Sequence, residues 1–266
     1  LLKIYQSTIN FSTNRKTIVT IGTFDGVHSG HKQIINQLKE EAHVVNGETV
    51  IITFNPHPRK ILQNQLHEVN LINTLSEKIE LLEIEGIDHL VIVPFTKSFS
   101  DQQAGDYIEN FLVKYFHPHT IIIGYDHHFG HNREGNYQLL EAMKEKYNYK
   151  VKEIPKHVWK KNIISSTNIR NAIINGNIEI ANDCLGYDYF FEGVVVEGNK
   201  LGKTIGYPTA NICINNKEKL IPANGVYAVT IVVEHHKSSN NLLLKGMMNI
   251  GTRPTVGGTK QTIEVN

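Results

Sequence analysis

Cysteine is scarce. Two in 266 residues exclude a disulfide scaffold and a zinc site built from four cysteines. Long apolar runs are missing too. None approaches the roughly 18 residues that a membrane-spanning helix needs. Charge of one sign is not in excess: 27 basic against 26 acidic residues leave a net +1. That balance gives no global pull toward nucleic acid or an anionic membrane, so neither is expected as a partner. No GxxxxGK[ST] occurs, which disfavours a P-loop kinase. No signal-peptide pattern opens the chain, and a cytoplasmic protein is expected. There is no internal repeat and no low-complexity tract. What is present is ordinary globular composition, 40% hydrophobic and 20% charged. At about 150 residues per domain, the length points to two domains.

The first two-thirds alternate strand and helix. Residues 16–21 (KTIVTI), 48–54 (ETVIITF), 89–95 (HLVIVPF), 120–124 (TIIIG) and 150–154 read as five strands. Between them, Ile34, Ile35, Leu38, Ala42 and Val45 recur at helical spacing after Gly30. Thr74 with Glu77, and Ser100 with Gln103, read as capping boxes, and residues 136–146 read as a further helix. This rhythm predicts a parallel sheet covered on both faces. Two short helices, 167–175 and 178–185, follow on either side of Gly176. From Tyr189 the pattern is strand and turn, predicting an antiparallel barrel or sandwich, with 235–241 as a hairpin tip. The expected division is 1–186 and 187–266.

The chemistry-bearing residues cluster where strands give way to helices. Gly22-Thr23-Phe24-Asp25-Gly26-Val27-His28-Ser29-Gly30-His31 joins the first strand to its helix. Open parallel sheets bind ligands beyond the carboxyl ends of their strands. A helix N-terminus offers free N–H groups and partial positive charge, which suits phosphate. His28 and His31 can add imidazole donors. Alone, the run also reads as a glycine loop with two surface histidines. A second helix start, Ser166-Thr167 with Arg170 one turn on, offers hydroxyls and a guanidinium. Alone it reads more readily as an ordinary capped helix with a surface arginine. Two anion-ready helix starts in one domain favour a nucleotide site. The histidines of 127–131 lack the ligand set usual for zinc.

In the second domain Gly198, Gly202 and Gly206 space a basic loop carrying Lys200 and Lys203, able to wrap a polyphosphate. Thr209 and Asn211 of the following PTAN run supply hard oxygens suited to Mg2+. A turn and an edge strand is the plainer reading of the same residues. Glu264 lies in the last strand-like run.

These motifs together resemble a family. The runs are GTFDGVHSGH (22–31), FNPHP (54–58), IGYDHHFGHNREGN (123–136), ISSTNIR (164–170), GNKLGKTIGYPTANI (198–212), GVYA (225–228) and GMMNIGTRPTVGG (246–258). Their order along nearly the whole chain resembles the bacterial bifunctional riboflavin kinase/FAD synthetases. The resemblance implies a Rossmann-like nucleotidylyltransferase domain followed by a riboflavin kinase-like barrel. The first would adenylylate FMN to FAD with release of pyrophosphate. The second would phosphorylate riboflavin to FMN, with ATP and Mg2+ in both steps. It implies that His28, His31, Ser166, Thr167 and Arg170 hold the ATP phosphates. Phe54, Pro56, His57, Pro58 and Asp126 would contact the flavin, and Glu264 would take the proton of the riboflavin hydroxyl. The family has Phe where His127 stands. It also continues past residue 266. With Leu1 in place of an initiating Met, an incomplete polypeptide is expected, its kinase module impaired or unfolded as written or its tail left out of this sequence, as a monomer or weak homo-oligomer. The rival readings are a single-activity adenylyltransferase for another phosphate acceptor with a non-catalytic β module, and a non-enzymatic binding module.

Overall fold

The strand Thr17–Ile21 is buried at every position. A parallel strand covered on both faces reads as such an unbroken apolar run. The computed structural model describes residues 1–62, 70–155, 158–159, 162–197, 208–233, 242–255 and 258–266. Its first sheet contains β1 (Lys3–Tyr5), β2 (Thr17–Ile21), β3 (Glu48–Asn55), β4 (His89–Pro94), β5 (Pro118–Gly124) and β6 (Lys150–Ile154). All neighbours are parallel, in the order β1-β4-β3-β2-β5-β6. Five of these strands are the expected ones. The sixth, β1, is three residues at the sheet edge, too short to carry a periodic signal.

Alternation along the strands feeds two cores. Val19, Val50, Ile52, Val91 and Ile121 face Ile108, Phe111, Leu112 and Phe116. Ile18, Ile51, Leu90 and Ile122 face Ile35, Leu38 and Leu82 on the other side. Helix α1 (Ser29–Val45) supplies Ile35, Leu38 and Ala42 at helical spacing and ends on Asn46 in the left-handed region, φ 52°. The short α2 spans Pro58–Leu62, and α3 spans Leu75–Ile84. The Thr74–Glu77 capping box is formed in both directions. The one expected at Ser100–Gln103 is not. Thr96 instead caps the single turn α4 (Lys97–Ser100), so Ser100 is already helical. The chain then restarts at α5 (Ala104–Asp106), passes through a π-helical stretch, Tyr107–Val113, and ends in α6 (Lys114–Phe116).

Helix α7 (Tyr137–Tyr147) precedes β6, and a two-residue hairpin, β7 (Val158–Trp159) with β8 (Asn162–Ile163), follows it. Then come α8 (Ser166–Ile174) and α9 (Ile178–Leu185), with Gly176 between them at φ 75°. The second sheet is antiparallel: β11 (Gly225–Val233), β12 (Leu242–Thr255), β13 (Gly258–Val265), β10 (Ala210–Cys213) and β9 (Val194–Val196), in that order. Its small core is Met248, Ile250 and Ile263. The barrel or sandwich expected from sequence is thus, among the described residues, this five-stranded sheet. The expected hairpin tip at 235–241 lies outside them.

Candidate active site

Strand order places the site. From β2 the chain moves through β3 to β4 in one direction across the sheet, whereas β5 lies on the other side of β2. Connections that leave in opposite directions open a crevice at the strand ends. The loop after β2 is the glycine-histidine run; the loop after β5 holds Asp126 and His127.

The first loop is tightly wound. Gly22 N–H donates to the Ile52 carbonyl at 3.0 Å. Phe24, Gly26 and Val27 all have positive φ, at 48°, 93° and 32°. At position 26 the φ favours glycine, and the space is tight as well: a Cβ there would meet Ile72 at 3.1 Å. His28 caps α1, its Nδ1 accepting from His31 N–H at 3.3 Å. The imidazoles of His28 and His31 stack, centroids 3.7 Å apart and planes 13° apart. His31 also packs on Phe24 at 4.8 Å. Phe24 itself is a core residue, 2% exposed. His31 Nδ1 is buried without a hydrogen-bond partner. Burial, then the charges of His28 and Lys78, hold the His31 pKa well below its ordinary value. His31 is therefore neutral, with its Nδ1 able to donate or accept a hydrogen bond.

The second helix start meets the first through Asp25. That carboxylate, buried in the protein, accepts from Ile72 N–H at 2.9 Å, Asn73 N–H at 3.2 Å and Arg170 Nη2 at 2.7 Å. Arg170 Nε donates to the Asn70 carbonyl at 2.8 Å. Ser166 Oγ donates to the Asp25 carbonyl at 2.8 Å. The cap of α8 is Ser165, one residue before the expected hydroxyls. Thr167 is exposed and accepts from Arg59 Nη2 at 3.4 Å. So residues 22–31 and 164–170, 141 positions apart at Asp25 and Ser166, form one rim.

The FNPHP run joins that rim. Burial presses the His57 pKa down to about 4, with Asp25, Lys78, Arg59 and Arg170 close enough to contribute. Phe54 is partly buried against Phe95 and Phe99, at 5.3 and 5.6 Å. Pro56 and Asp126 are exposed, and Pro58 opens α2.

Sequence reasoning missed Lys78. Its Nζ donates to the Thr23 carbonyl at 2.7 Å and Thr53 Oγ1 at 3.4 Å, directly beneath the loop. Burial lowers its pKa to about 8. The signal was its place in the apolar stripe Leu75, Lys78, Ile79, Leu82, where a cation does not belong without a purpose. Arg59 was missed as well.

In the second sheet, Asn211 pairs in register with Glu264, and Glu264 also faces Asn249. Ile263 is buried in the core on the opposite face. Asn211 and Glu264 thus stand side by side on one surface, with Thr209 exposed two residues away. Hydroxyl, amide and carboxylate oxygens in one place are a donor set that fits a hard divalent cation. Gly198, Gly202, Lys203 and Gly206 lie outside the described residues.

Chemically, the first rim gathers free helix N–H groups, a buried ammonium, a guanidinium and neutral imidazoles, which suits a polyphosphate. The second offers a carboxylate beside oxygen ligands.

A family model for FAD synthetase matches residues 10–168, and one for riboflavin kinase matches residues 185–266. The bifunctional riboflavin kinase/FMN adenylyltransferase of Haemophilus influenzae is 35% identical over 248 residues, 93% of this chain and 78% of that protein. Its counterpart in Listeria monocytogenes is 37% identical over 239 residues, covering 90% and 73%. That of Escherichia coli K12 is 34% identical over 249 residues, covering 94% and 77%. A crystal structure described as a macrolide-efflux protein from Streptococcus pneumoniae superposes with a TM-score of 0.86 at 30% identity, over 100% of this chain and 84% of that one. Among the described residues here, no helix is long and apolar enough to cross a membrane.

Proposed function

The chain belongs to the bifunctional riboflavin kinase/FMN adenylyltransferase family, and from that premise we propose that it makes FAD from riboflavin in two ATP-dependent steps. Residues 1–186 carry the adenylyl transfer and 187–266 the kinase reaction. The observation that carries the first assignment is the single rim built from two helix starts joined through Asp25.

In adenylyl transfer an oxygen of the FMN phosphate attacks the α-phosphorus of ATP. The new P–O bond forms as the bond to pyrophosphate breaks, and no protein nucleophile takes part. The work is positioning and charge stabilisation. Gly22, Thr23, Asp25 and Gly30 shape the loop that cradles the nucleotide. His28 and His31 face its phosphates from α1. Ser166, Thr167 and Arg170 close on them from α8, and Lys78 adds a fixed charge from below. Phe54, Pro56, His57, Pro58 and Asp126 receive the flavin.

In the kinase step the riboflavin 5′-hydroxyl oxygen bonds to the γ-phosphorus as the bond to ADP breaks, and Glu264 takes the hydroxyl proton. Gly198, Gly202, Lys203 and Gly206 wrap the nucleotide. Thr209 and Asn211 would hold Mg2+, which neutralises charge on the phosphates when bound. Two free thiols, Cys184 and Cys213, suit a reducing compartment, and we place the reaction in the cytoplasm. A single-activity adenylyltransferase is the weaker reading, because the riboflavin kinase match spans the whole second module.

The test is chromatographic. The chain is incubated with ATP and Mg2+, once with riboflavin and once with FMN, and the flavins are separated. FAD is expected from both. FAD from FMN alone would keep the adenylyl-transfer assignment and mean that residues 187–266 as they stand do not phosphorylate riboflavin, and no FAD from either would remove both.

A further inference from the structure

One buried cation belongs to neither candidate site. Lys219 lies between β10 and β11, and its side chain is 1% exposed. Its Nζ donates to the Glu77 carboxylate at 2.6 Å and to the Ile72 carbonyl at 2.7 Å. The ammonium also lies 4.6 Å from the centre of the Tyr189 ring. Glu77, equally buried, sits 142 residues away on the first turn of α3. Its Oε2 also accepts from Thr74 N–H at 2.9 Å. The backbones on either side are joined as well. Leu71 N–H donates to the Glu218 carbonyl at 2.7 Å, and Leu220 N–H to the Leu71 carbonyl at 2.9 Å. Lys60 pairs with Glu218 at the rim of this contact.

The segment held in this way is the one that holds the nucleotide loop. Ile72 and Asn73 give their N–H groups to Asp25, and Asn70 gives its carbonyl to Arg170. Ile72 is therefore fixed from both sides: its N–H by the first module's carboxylate, its carbonyl by the second module's ammonium. A buried ion pair is poor value as a source of stability, because desolvation of two charges consumes most of the attraction. What it does supply is direction, since both partners must meet at defined atoms.

We propose that Lys219 is a positioning residue for adenylyl transfer, reaching from the second module to fix residues 70–73 and, through them, Asp25 and Arg170. This rests on reading the first site as the adenylyl-transfer site. ATP use in the first module then depends on a side chain of the second.

Lys219→Met alone leaves the Glu77 charge buried without its cation and can unfold the chain. The double variant Glu77→Gln/Lys219→Met removes both charges and keeps an amide oxygen for Thr74 N–H. FAD formation from FMN is measured at varied ATP for the full chain and this variant, beside thermal unfolding of each. The expected result is a folded variant whose kcat/KM for ATP falls about tenfold or more, as misplacement of distant groups does. ATP binding by calorimetry should weaken with it. A folded variant with the wild-type kcat/KM overturns the proposal. So does a variant unfolded at the assay temperature, because the pair then holds the fold rather than the site. Wild-type chain that makes no FAD overturns the underlying reading instead, and the control separates the two cases.

Discussion

His127 is half-buried, and its Nε2 is a buried nitrogen that nothing satisfies. Its Nε2 has no hydrogen-bond partner, and its ring lies 5.9 Å from that of Phe129. Burial, then the charges of His128 and Arg133, lower its pKa to about 4. His57 is held at about the same value, also chiefly by burial. The sign of the consequence follows from linkage. Above pH 6.5 both rings are neutral in folded and unfolded chains alike. As the pH falls toward 4, the unfolded chain binds protons that the folded chain refuses, so stability is lost across that window. His127→Phe removes one such group and the unpaired nitrogen together. We expect a gain of about 1 kcal/mol at pH 7, the usual scale for an unsatisfied buried polar atom, and a shallower fall between pH 6.5 and 4. Thermal melts across that range read both. A variant less stable than wild type at pH 7 would show that Nε2 contributes a favourable interaction after all.

The entry to α3 shows the same economy at the scale of an element. Thr74 Oγ1 accepts from Glu77 N–H at 3.3 Å while Glu77 answers Thr74 N–H. Thr74→Ala should cost about 1 kcal/mol, the usual value of an N-cap, seen as a lower denaturant midpoint with an unchanged slope. A midpoint that does not move would mean that packing alone starts the helix. This cap was legible because its partners are three residues apart. So were β2 to β5, because buried parallel strands are continuous apolar runs; β6, largely exposed, was legible only from its place in the strand–helix rhythm. The Ser100–Gln103 box had the same letters and failed, since Thr96 had already begun a helix upstream. The site divides along the same line. The histidine loop and the ISSTNIR run announce themselves by local sequence. The pairing of Asp25 with Arg170, 145 residues apart, does not. Nor does the placement of Lys78 beneath the loop or of Lys219 against Glu77. Such contacts exist only once the sheet has brought distant segments to one edge.

The two proposed reactions fall on two different sheets of the molecule, and that separation has a kinetic consequence. His31 stands at the start of α1, stacked on His28 and tilted against Phe24. Asn211 lies on β10, opposite Glu264. His31→Ala removes a ring from the first rim but keeps the backbone N–H that His28 caps. It should lower FAD formation from FMN by about 10²-fold or more, the scale of one lost electrostatic donor, and leave FMN formation from riboflavin near its wild-type rate. Asn211→Ala should do the reverse, with FMN formation lost and FAD formation from added FMN intact. The contact through Lys219 does not blur this expectation. It fixes backbone position between the modules, and neither substitution touches residues 70–73 or 218–220. Both rates are read from one chromatogram of timed aliquots for each variant. A similar loss of both rates in His31→Ala would mean that one rim serves both reactions, and the two-site reading would have to be given up.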